Sequence, residues 1–241
     1  MANPQVVIPD YSGYHNRDID DSAERLEKAK SYKDLSTIII CPTRGQIPAK
    51  VVQSWMGLMR PMNQKVIGPL FAIGMEVGAA YNSMIENILN NPELSKWKYI
   101  LTIEEDNMPP ADGLLKLYES MDKYDVVQGL YWTKGEGGQP MIYGDPSVMP
   151  KNFIPQKPIK DTVQHCNGLG MGFNLFKLEI FKNPDLPRPW FKTVQEVVNG
   201  GARAYTQDLY FYENAAKCGY RFACDTHVKV GHYDINNDII W

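Results

Sequence analysis

Three consecutive acidic residues form the strongest candidate for chemistry in this sequence. Glu104, Glu105 and Asp106 directly follow an apolar, strand-like run at residues 98–103. In open α/β sheets, ligands bind beyond the carboxyl ends of the strands, and adjacent carboxylates repel each other unless a cation or hydrogen-bond donors compensate. Because side chains alternate along an extended chain, we expect Glu104 and Asp106 to face one way and Glu105 the other. Such oxygen ligands suit Mg²⁺ or Mn²⁺, and a solvated acidic turn is the alternative interpretation.

Two of the four histidines lie within six residues near the end of the chain, at His227 and His232. On one regular strand their odd spacing would point them to opposite faces, so we expect only one of them to enter a site. A structural or surface histidine is the alternative for either. Zinc binding together with Cys218 and Cys224 is not predicted, because the closely spaced cysteine pair of structural zinc modules is absent.

A third candidate, Asp208, falls in the first turn of a predicted helix. Thr206 is a suitable N-cap for this helix, and Gln207 follows it. An acid in a first helical turn is favoured by the helix dipole, which would explain Asp208 without any function. The same position also suits a general base that faces an acceptor hydroxyl. The sequence position leaves both interpretations open.

Apolar runs and helical stripes alternate along the chain from Ser36 onward. Strands are predicted at residues 36–41, 64–73, 98–103, 125–130, 171–177, 220–224 and 228–230. Helices are predicted at residues 49–60, 77–90, 111–121 and 207–217, where apolar residues recur at helical spacing. This alternation predicts a single α/β domain with a Rossmann-like, mainly parallel sheet flanked by helices. A long irregular segment at residues 132–162 is rich in Gly, Pro and Lys, as functional loops often are.

The first 35 residues are polar and are predicted to form an appendage, with residues 36–241 as the folded domain. A short helix is expected at residues 23–33, either packed on the domain or used for contacts in a homo-oligomer. No apolar run approaches the roughly 20 residues that span a bilayer, and no signal peptide is evident at the N-terminus.

Composition places the chain among ordinary globular proteins. Hydrophobic residues make up 44% and charged residues 22%, and the formal net charge of -3 provides no electrostatic basis for binding nucleic acid. Four cysteines in 241 residues do not form a disulfide framework. We therefore expect reduced thiols and a cytoplasmic protein.

Taken in order, these segments resemble the GT-A glycosyltransferase superfamily over about Thr37 to Tyr233. The opening strand and its loop, with Pro42, Thr43 and Arg44, resemble the part of the family that contacts the nucleotide base and ribose. Glu104-Glu105-Asp106 resembles the D-x-D motif, with Glu in the first position. The segment Asn167 to Phe173, which contains Gly168, Gly170 and Gly172, is similar to the loop that shapes the sugar and acceptor pocket. Relatives often have Arg-Asn where this chain has Tyr81-Asn82.

The resemblance implies a role for each matching position. Asp106 becomes the principal metal ligand, Glu104 assists it or contacts the ribose, and Glu105 is grouped with the nucleotide-binding residues. His232, within Val230-Gly231-His232, completes the metal site, with His227 in reserve. Asp208 is the candidate catalytic base.

Aromatic residues in irregular segments offer surfaces for sugar rings. Trp132 is the candidate for stacking in the acceptor pocket, together with Gly168 and Gly170, and Tyr143 and Trp190 are further candidates. Ordinary packing is the alternative for each aromatic side chain.

The predicted function is therefore transfer of a sugar from a nucleoside diphosphate donor, a UDP or GDP sugar, with Mn²⁺ or Mg²⁺. The acceptor would be a glycan, a protein or a small molecule. Two alternatives remain: a non-catalytic protein that binds carbohydrate or nucleotide sugars, and a sugar nucleotidyltransferase. The single glycine in the loop after the first strand disfavours the second, since such enzymes usually have a loop rich in Gly and Arg.

Overall fold

The apolar runs form the strands of a central sheet in a computed structural model, which describes residues 33–198 and 201–241. Within these ranges the strands are β1 Thr37–Thr43, β2 Val66–Ile73, β3 Tyr99–Ile103, β4 Asn107–Met108, β5 Val126–Leu130, β6 Ile142–Tyr143, β7 Val163–Cys166, β8 Gly168–Leu169, β9 Phe173–Lys177, β10 Val194–Val198, β11 Gly201–Tyr205, β12 Phe222–Lys229, β13 Gly231–Asp234 and β14 Ile239–Ile240. The helices are α1 Ala49–Met56, α2 Val77–Asn90, α3 Gly113–Glu119 and α4 Gln207–Lys217, with short 3₁₀ turns at Leu94–Lys96 and Leu178–Lys182.

Seven strands make up the central sheet, in the order β2-β1-β3-β9-β5-β12-β7. Strands β2, β1, β3, β5 and β12 share one direction, while β9 and β7 run antiparallel to their neighbours. All seven residues of β1 are buried, as expected for a β-branched strand paired on both sides. The predicted fold class, an α/β Rossmann-like domain with a mainly parallel sheet, is confirmed.

Helices cover both faces of the sheet, and the alternation along β1 separates the two layers. Ile38 and Ile40 belong to the core beneath α2 and α4, whereas Ile39 and Cys41 belong to the core beneath α3. The first core holds a dense aromatic cluster, in which Phe191 and Phe211 stack with ring centroids 4.9 Å apart. These two layers hold the strands rigidly, so that their carboxyl ends form a stable platform for the loops.

Several predicted boundaries differ from the structure. Helix α1 ends at Met56, because Gly57 caps it, and the predicted extension to residue 60 is wrong. The two short strands predicted at 220–224 and 228–230 are one continuous strand, β12, followed by β13. His227 and His232 therefore lie on different strands. Helices α2 and α4 have the predicted bounds, and Gly219 follows α4 with a φ of 87°.

The predicted N-terminal appendage lies almost wholly outside the described residues, and so does its predicted helix. The division into residues 1–35 and 36–241 therefore stays a prediction. Among the residues that the structure does describe, no helix combines the length and apolar character needed to cross a membrane.

Candidate active site

The predicted site residues gather at the carboxyl ends of the parallel strands. Thr43 ends β1, the acidic run follows β3, and the irregular segment follows β5. Strand β13 pairs antiparallel with β4, which places His232 opposite Asn107, the residue after the acidic run. The backbone N–H of Tyr233 donates to the carbonyl oxygen of Asp106 over 2.7 Å and holds the two segments together.

Asp106 and His232 form the centre of this group. The Oδ2 atom of Asp106 lies 3.4 Å from Nε2 of His232, and the two side chains are 22% and 17% exposed. His227 instead contacts Asp225, with Nδ1 and Oδ1 2.7 Å apart, and does not reach Asp106. The structure thus brings His232 to the acidic run and leaves His227 elsewhere, and metal binding by His232 stays a prediction.

A backbone contact decides which nitrogen of His232 faces Asp106. Nδ1 of His232 lies 2.7 Å from the carbonyl oxygen of Trp132, which can only accept a hydrogen bond. Nδ1 therefore carries a hydrogen, and Nε2 is the ring nitrogen that faces Asp106. Such a contact fixes the tautomer and orientation of histidines that bind metals.

Lys134 is the site residue that the sequence analysis missed. Its Nζ atom lies 2.5 Å from Oδ2 of Asp106. Burial by itself would raise the pKa of Asp106, but His232 and Lys134 outweigh it and bring that pKa below its usual value. Lysine is abundant in the irregular segment, and nothing in the local sequence distinguishes this one, because the contact depends on tertiary structure.

Glu104 is a partly buried carboxyl group. Its Oε1 atom accepts a hydrogen bond from the hydroxyl of Tyr81 over 3.1 Å. Burial first, and then the nearby carboxylates of Asp106 and Asp208, raise the pKa of Glu104 to about 7. Tyr81 on α2 therefore contacts the first residue of the acidic run.

Glu105 faces the opposite direction, as the predicted alternation requires. It accepts hydrogen bonds from the hydroxyl of Thr43 at 2.7 Å and from the backbone N–H of Arg44 at 2.8 Å, and Nε of Arg44 lies 2.5 Å from it. Burial opposes ionisation, but these donors prevail and lower the pKa of Glu105. Glu105 thus organises the end of β1, where Thr43 follows Pro42, and the start of the next loop. The Arg44 side chain stays 85% exposed.

Asp208 lies at the start of α4 and is 6% exposed. Its Oδ1 atom accepts the backbone N–H of Leu209 over 2.9 Å, while Thr206, the N-cap, makes no side-chain cap hydrogen bond to the helix. Burial raises the pKa of Asp208 above its usual value. The charge of Asp208 contributes to the raised pKa of Glu104, so Asp208 lies within electrostatic range of the acidic run. Its contact with the first turn also agrees with the alternative dipole interpretation.

The glycines of the 168–172 segment are buried, and side chains of this protein fill the space beside them. A Cβ at Gly170 would lie 2.1 Å from the hydroxyl of Tyr131, and one at Gly168 would lie 3.0 Å from the ring of Phe153. The Tyr131 hydroxyl accepts the backbone N–H of Gly172 over 2.9 Å. Packing against Tyr131 and Phe153 therefore explains why Gly168 and Gly170 are glycine, whereas the family resemblance assigned them to a loop that shapes the sugar and acceptor pocket.

The three candidate aromatic residues have different environments. Trp190 is 2% exposed and packs edge-on against Phe181 within the core, so it is not available to stack on a sugar. Trp132 is half-buried against the core, and its carbonyl group positions His232. The hydroxyl of Tyr143 contacts the sulfur of Met141 at 3.0 Å, and its ring stays partly exposed.

The geometry of Asp106 and His232 fits one edge of a divalent-cation site. Ligands of Mg²⁺ lie at about 2.1 Å in octahedral geometry, so neighbouring ligands are about 3 Å apart, close to the 3.4 Å observed. Across the described ranges, no group of three or more His, Cys, Asp or Glu side chains is arranged as a complete metal site. Two protein ligands suffice where phosphate oxygens and water supply the rest.

A solved structure shares the fold of this protein, but no family model or curated protein is similar to it in sequence. Among solved structures, A197 from STIV is similar with a TM-score of 0.60 and 18% identity, over 85% of this chain and 92% of that one. TarS from S. aureus in complex with UDP-GlcNAc has a TM-score of 0.45 and 14% identity, over 78% of this chain and 55% of that one. The similarity to A197 shows a shared fold and no more.

Proposed function

We propose that this protein is a glycosyltransferase that moves a sugar from a UDP or GDP sugar to a hydroxyl group of a glycan, a protein or a small molecule. The observation that carries the proposal is the contact of Asp106 with His232 at the carboxyl end of β3, with Glu104 beside them and Asp208 near enough to raise the pKa of Glu104. Three carboxylates in one partly buried group repel each other, and a cation relieves that repulsion. The GT-A resemblance assigns the same residues to donor binding and catalysis.

Asp106 and Nε2 of His232 would hold Mn²⁺ or Mg²⁺. When bound, the cation neutralises the charge that develops on the departing diphosphate. The hydrogen bond between His232 and the Trp132 carbonyl keeps the imidazole aimed at Asp106 before the ion arrives. Glu104 would assist Asp106 through its negative charge, or it would contact the donor ribose.

The loop after β1 would receive the nucleotide. Glu105 holds this loop through Thr43 and the backbone of Arg44, which leaves the exposed guanidinium group of Arg44 at the edge of the site. An organised loop binds a nucleotide with less loss of entropy than a disordered one. In this arrangement Glu105 supports the nucleotide site from within and does not bind the cation.

Asp208 would act on the acceptor. Its raised pKa makes it a better proton acceptor than an exposed aspartate at the same pH, provided that it is ionised. In an inverting reaction Asp208 takes the proton of the attacking hydroxyl, and in a retaining reaction it positions a hydroxyl of the sugar. Substitution of Asp208 separates an enzyme from a protein that only binds the donor.

The first test measures thermal stability with UDP, GDP, CDP and dTDP, each with and without Mn²⁺. A ligand that binds the native state raises the melting temperature by mass action. We expect one nucleotide to stabilise the protein only together with Mn²⁺. Asp106→Asn and His232→Gln should abolish this shift, whereas His227→Gln, the matched control, should retain it. No shift with any nucleotide would contradict the proposal.

The second test measures turnover with the nucleotide sugar whose nucleotide stabilises the protein. Release of free nucleotide is followed in the wild type and in Asp208→Asn. We expect the variant to keep the stabilisation by nucleotide and Mn²⁺ and to lose turnover by a factor of about 10² or more, as for loss of a general base. Binding without turnover in the wild type would favour the non-catalytic alternative, and release of inorganic diphosphate when a nucleoside triphosphate and a sugar phosphate are supplied would favour a nucleotidyltransferase.

A further inference from the structure

The Lys134 ammonium group contacts the carboxylate oxygen of Asp106 that a cation would bind. Its ammonium group lies 2.5 Å from Oδ2, the same oxygen that faces Nε2 of His232 at 3.4 Å. A divalent ion bound to this oxygen and to His232 would lie about 2.1 Å from Oδ2. The ion and the ammonium group would then share one carboxylate oxygen and repel each other. We therefore expect the ion to displace Lys134 from Asp106.

The backbone at Lys134 is held in place, so this exchange requires movement of the side chain alone. Two hydrogen bonds close the base of the turn that contains Lys134. The Thr133 N–H donates to the Gln139 carbonyl oxygen over 2.9 Å, and the Gln139 N–H donates to the Thr133 hydroxyl over 2.9 Å. Trp132 and Pro140 form an antiparallel bridge just outside this turn. The Lys134 side chain is 30% exposed, so its four-carbon stem can turn toward the open side of the site.

We propose that Lys134 is an exchangeable cation: it neutralises Asp106 in the empty site, gives way to the divalent ion, and then binds the diphosphate of the donor. This inference rests on the proposed function and assigns a phosphate-binding residue to it. The released ammonium group stays within one side-chain length of the ion, which is where the diphosphate oxygens would lie. Ammonium groups are common ligands of phosphate.

Arg44 is a poorer candidate for this role, although it is also near the acidic run. Its Nε atom and its backbone N–H both contact Glu105, on the opposite side of the acidic run from Asp106. Lys134 by contrast contacts the proposed metal ligand itself. The two basic side chains are thus assigned to different parts of the donor. Arg44 would contact the nucleoside, and Lys134 would contact the diphosphate.

The test compares Lys134→Met with Lys123→Met, a matched change at an exposed lysine near the amino end of β5, the opposite end of the sheet. Binding of Mn²⁺ without nucleotide is measured from the electron paramagnetic resonance signal of free Mn²⁺. Binding of UDP and GDP at saturating Mn²⁺ is measured by calorimetry. Lys134→Gln is a second variant with a polar tip, and thermal unfolding without ligands confirms that each variant folds.

We expect Lys134→Met to bind Mn²⁺ alone about tenfold more tightly, because its competitor for Asp106 is gone, and to bind the nucleotide with Mn²⁺ about tenfold more weakly. Lys123→Met should match the wild type in both measurements. Equal Mn²⁺ affinity in the wild type and Lys134→Met would overturn the exchange while leaving the proposed function intact. Tighter Mn²⁺ binding with unchanged nucleotide affinity would overturn the diphosphate contact. No Mn²⁺ binding in either protein, with or without nucleotide, would overturn both this inference and the proposed metal site.

Discussion

At the scale of single residues, the site contains acidic side chains whose pKa values differ. Glu105 is surrounded by donors and has a lowered pKa, whereas Glu104 is partly buried beside other carboxylates and has a pKa of about 7. The ordinary pKa of a glutamate is 4.5, so the environment of Glu104 disfavours its charge. Glu104 and Glu105 thus differ in pKa because side chains alternate in direction along the chain, which places the two carboxyl groups in different surroundings.

The raised pKa of Glu104 predicts a stability effect that depends on pH. The native carboxyl group binds its proton more tightly than the unfolded one, so its stabilising contribution is complete below about pH 4.5 and is lost as the pH rises through about 7. Glu104→Gln imitates the protonated form. Without metal, it should raise the free energy of unfolding by up to about 3 kcal/mol at pH 8 and change it little at pH 4.5.

This prediction is checked by urea unfolding of both proteins between pH 4.5 and 8.5 in the presence of a chelator. The gain should grow between about pH 4.5 and pH 7 and level off above that range. A difference that stays constant with pH would mean that the Glu104 carboxyl does not titrate as described.

At the scale of elements, short strands position the site. The pairing of β13 with β4 sets His232 against the end of the acidic run, and two backbone hydrogen bonds of 3.1 Å between His232 and Trp241 support β13 from its other edge. After β8, Gly170 and Gly172 pack against Tyr131. Such short elements have too few residues for a periodic pattern, which is why they escape prediction from sequence.

The packing of Gly170 predicts a coupling with Tyr131. In Gly170→Ala the added Cβ would meet the Tyr131 hydroxyl at 2.1 Å, so we expect a loss of about 1–3 kcal/mol in the free energy of unfolding. Tyr131→Phe alone should also destabilise, because it leaves the buried N–H of Gly172 without its acceptor. The double variant should lose less than the sum of the two, since the phenylalanine removes the nearest conflict and leaves the flexible Met141 side chain, at 2.8 Å, to adjust.

Denaturant unfolding of the wild type, both single variants and the double variant measures this coupling. Additive losses would show that the Gly170 backbone moves away from Tyr131 without a steric conflict, and that close packing does not explain the glycine.

At the scale of the whole molecule, the sheet and its helices bury three of the four cysteines. Cys41 and Cys224 are fully buried and Cys166 is 1% exposed, whereas Cys218, just after α4, is partly exposed. Burial raises the pKa of the Cys41, Cys166 and Cys224 thiols, so they are poor nucleophiles in the native state. All four are free thiols, in agreement with the expectation of no disulfide framework.

The reaction of these thiols with a chromogenic disulfide reagent therefore measures the integrity of the fold. We expect one rapidly reacting thiol in the native protein and four in denaturant. Cys218→Ser should remove the rapid phase. Two or more rapid thiols in the native wild type would show that a sheet layer is less closed than described.

The sequence alone determined the class of fold, the bounds of α2 and α4, and the identity of the main acidic residues. These features depend on local patterns: β-branched runs, helical stripes and three acids after a strand. Sequence also favoured His232 over His227, although it did so through a family resemblance. The roles of these residues in catalysis remain predictions that the experiments above address.

Tertiary structure alone decided which side chains meet. It joined Lys134 to Asp106 across 28 positions and Trp132 to His232 across 100, and it placed Tyr81 beside Glu104. It also assigned Trp190 to the core and gave the glycines a packing role. The physical reason is that a local pattern specifies an element, whereas a contact between distant residues follows from how all elements pack together.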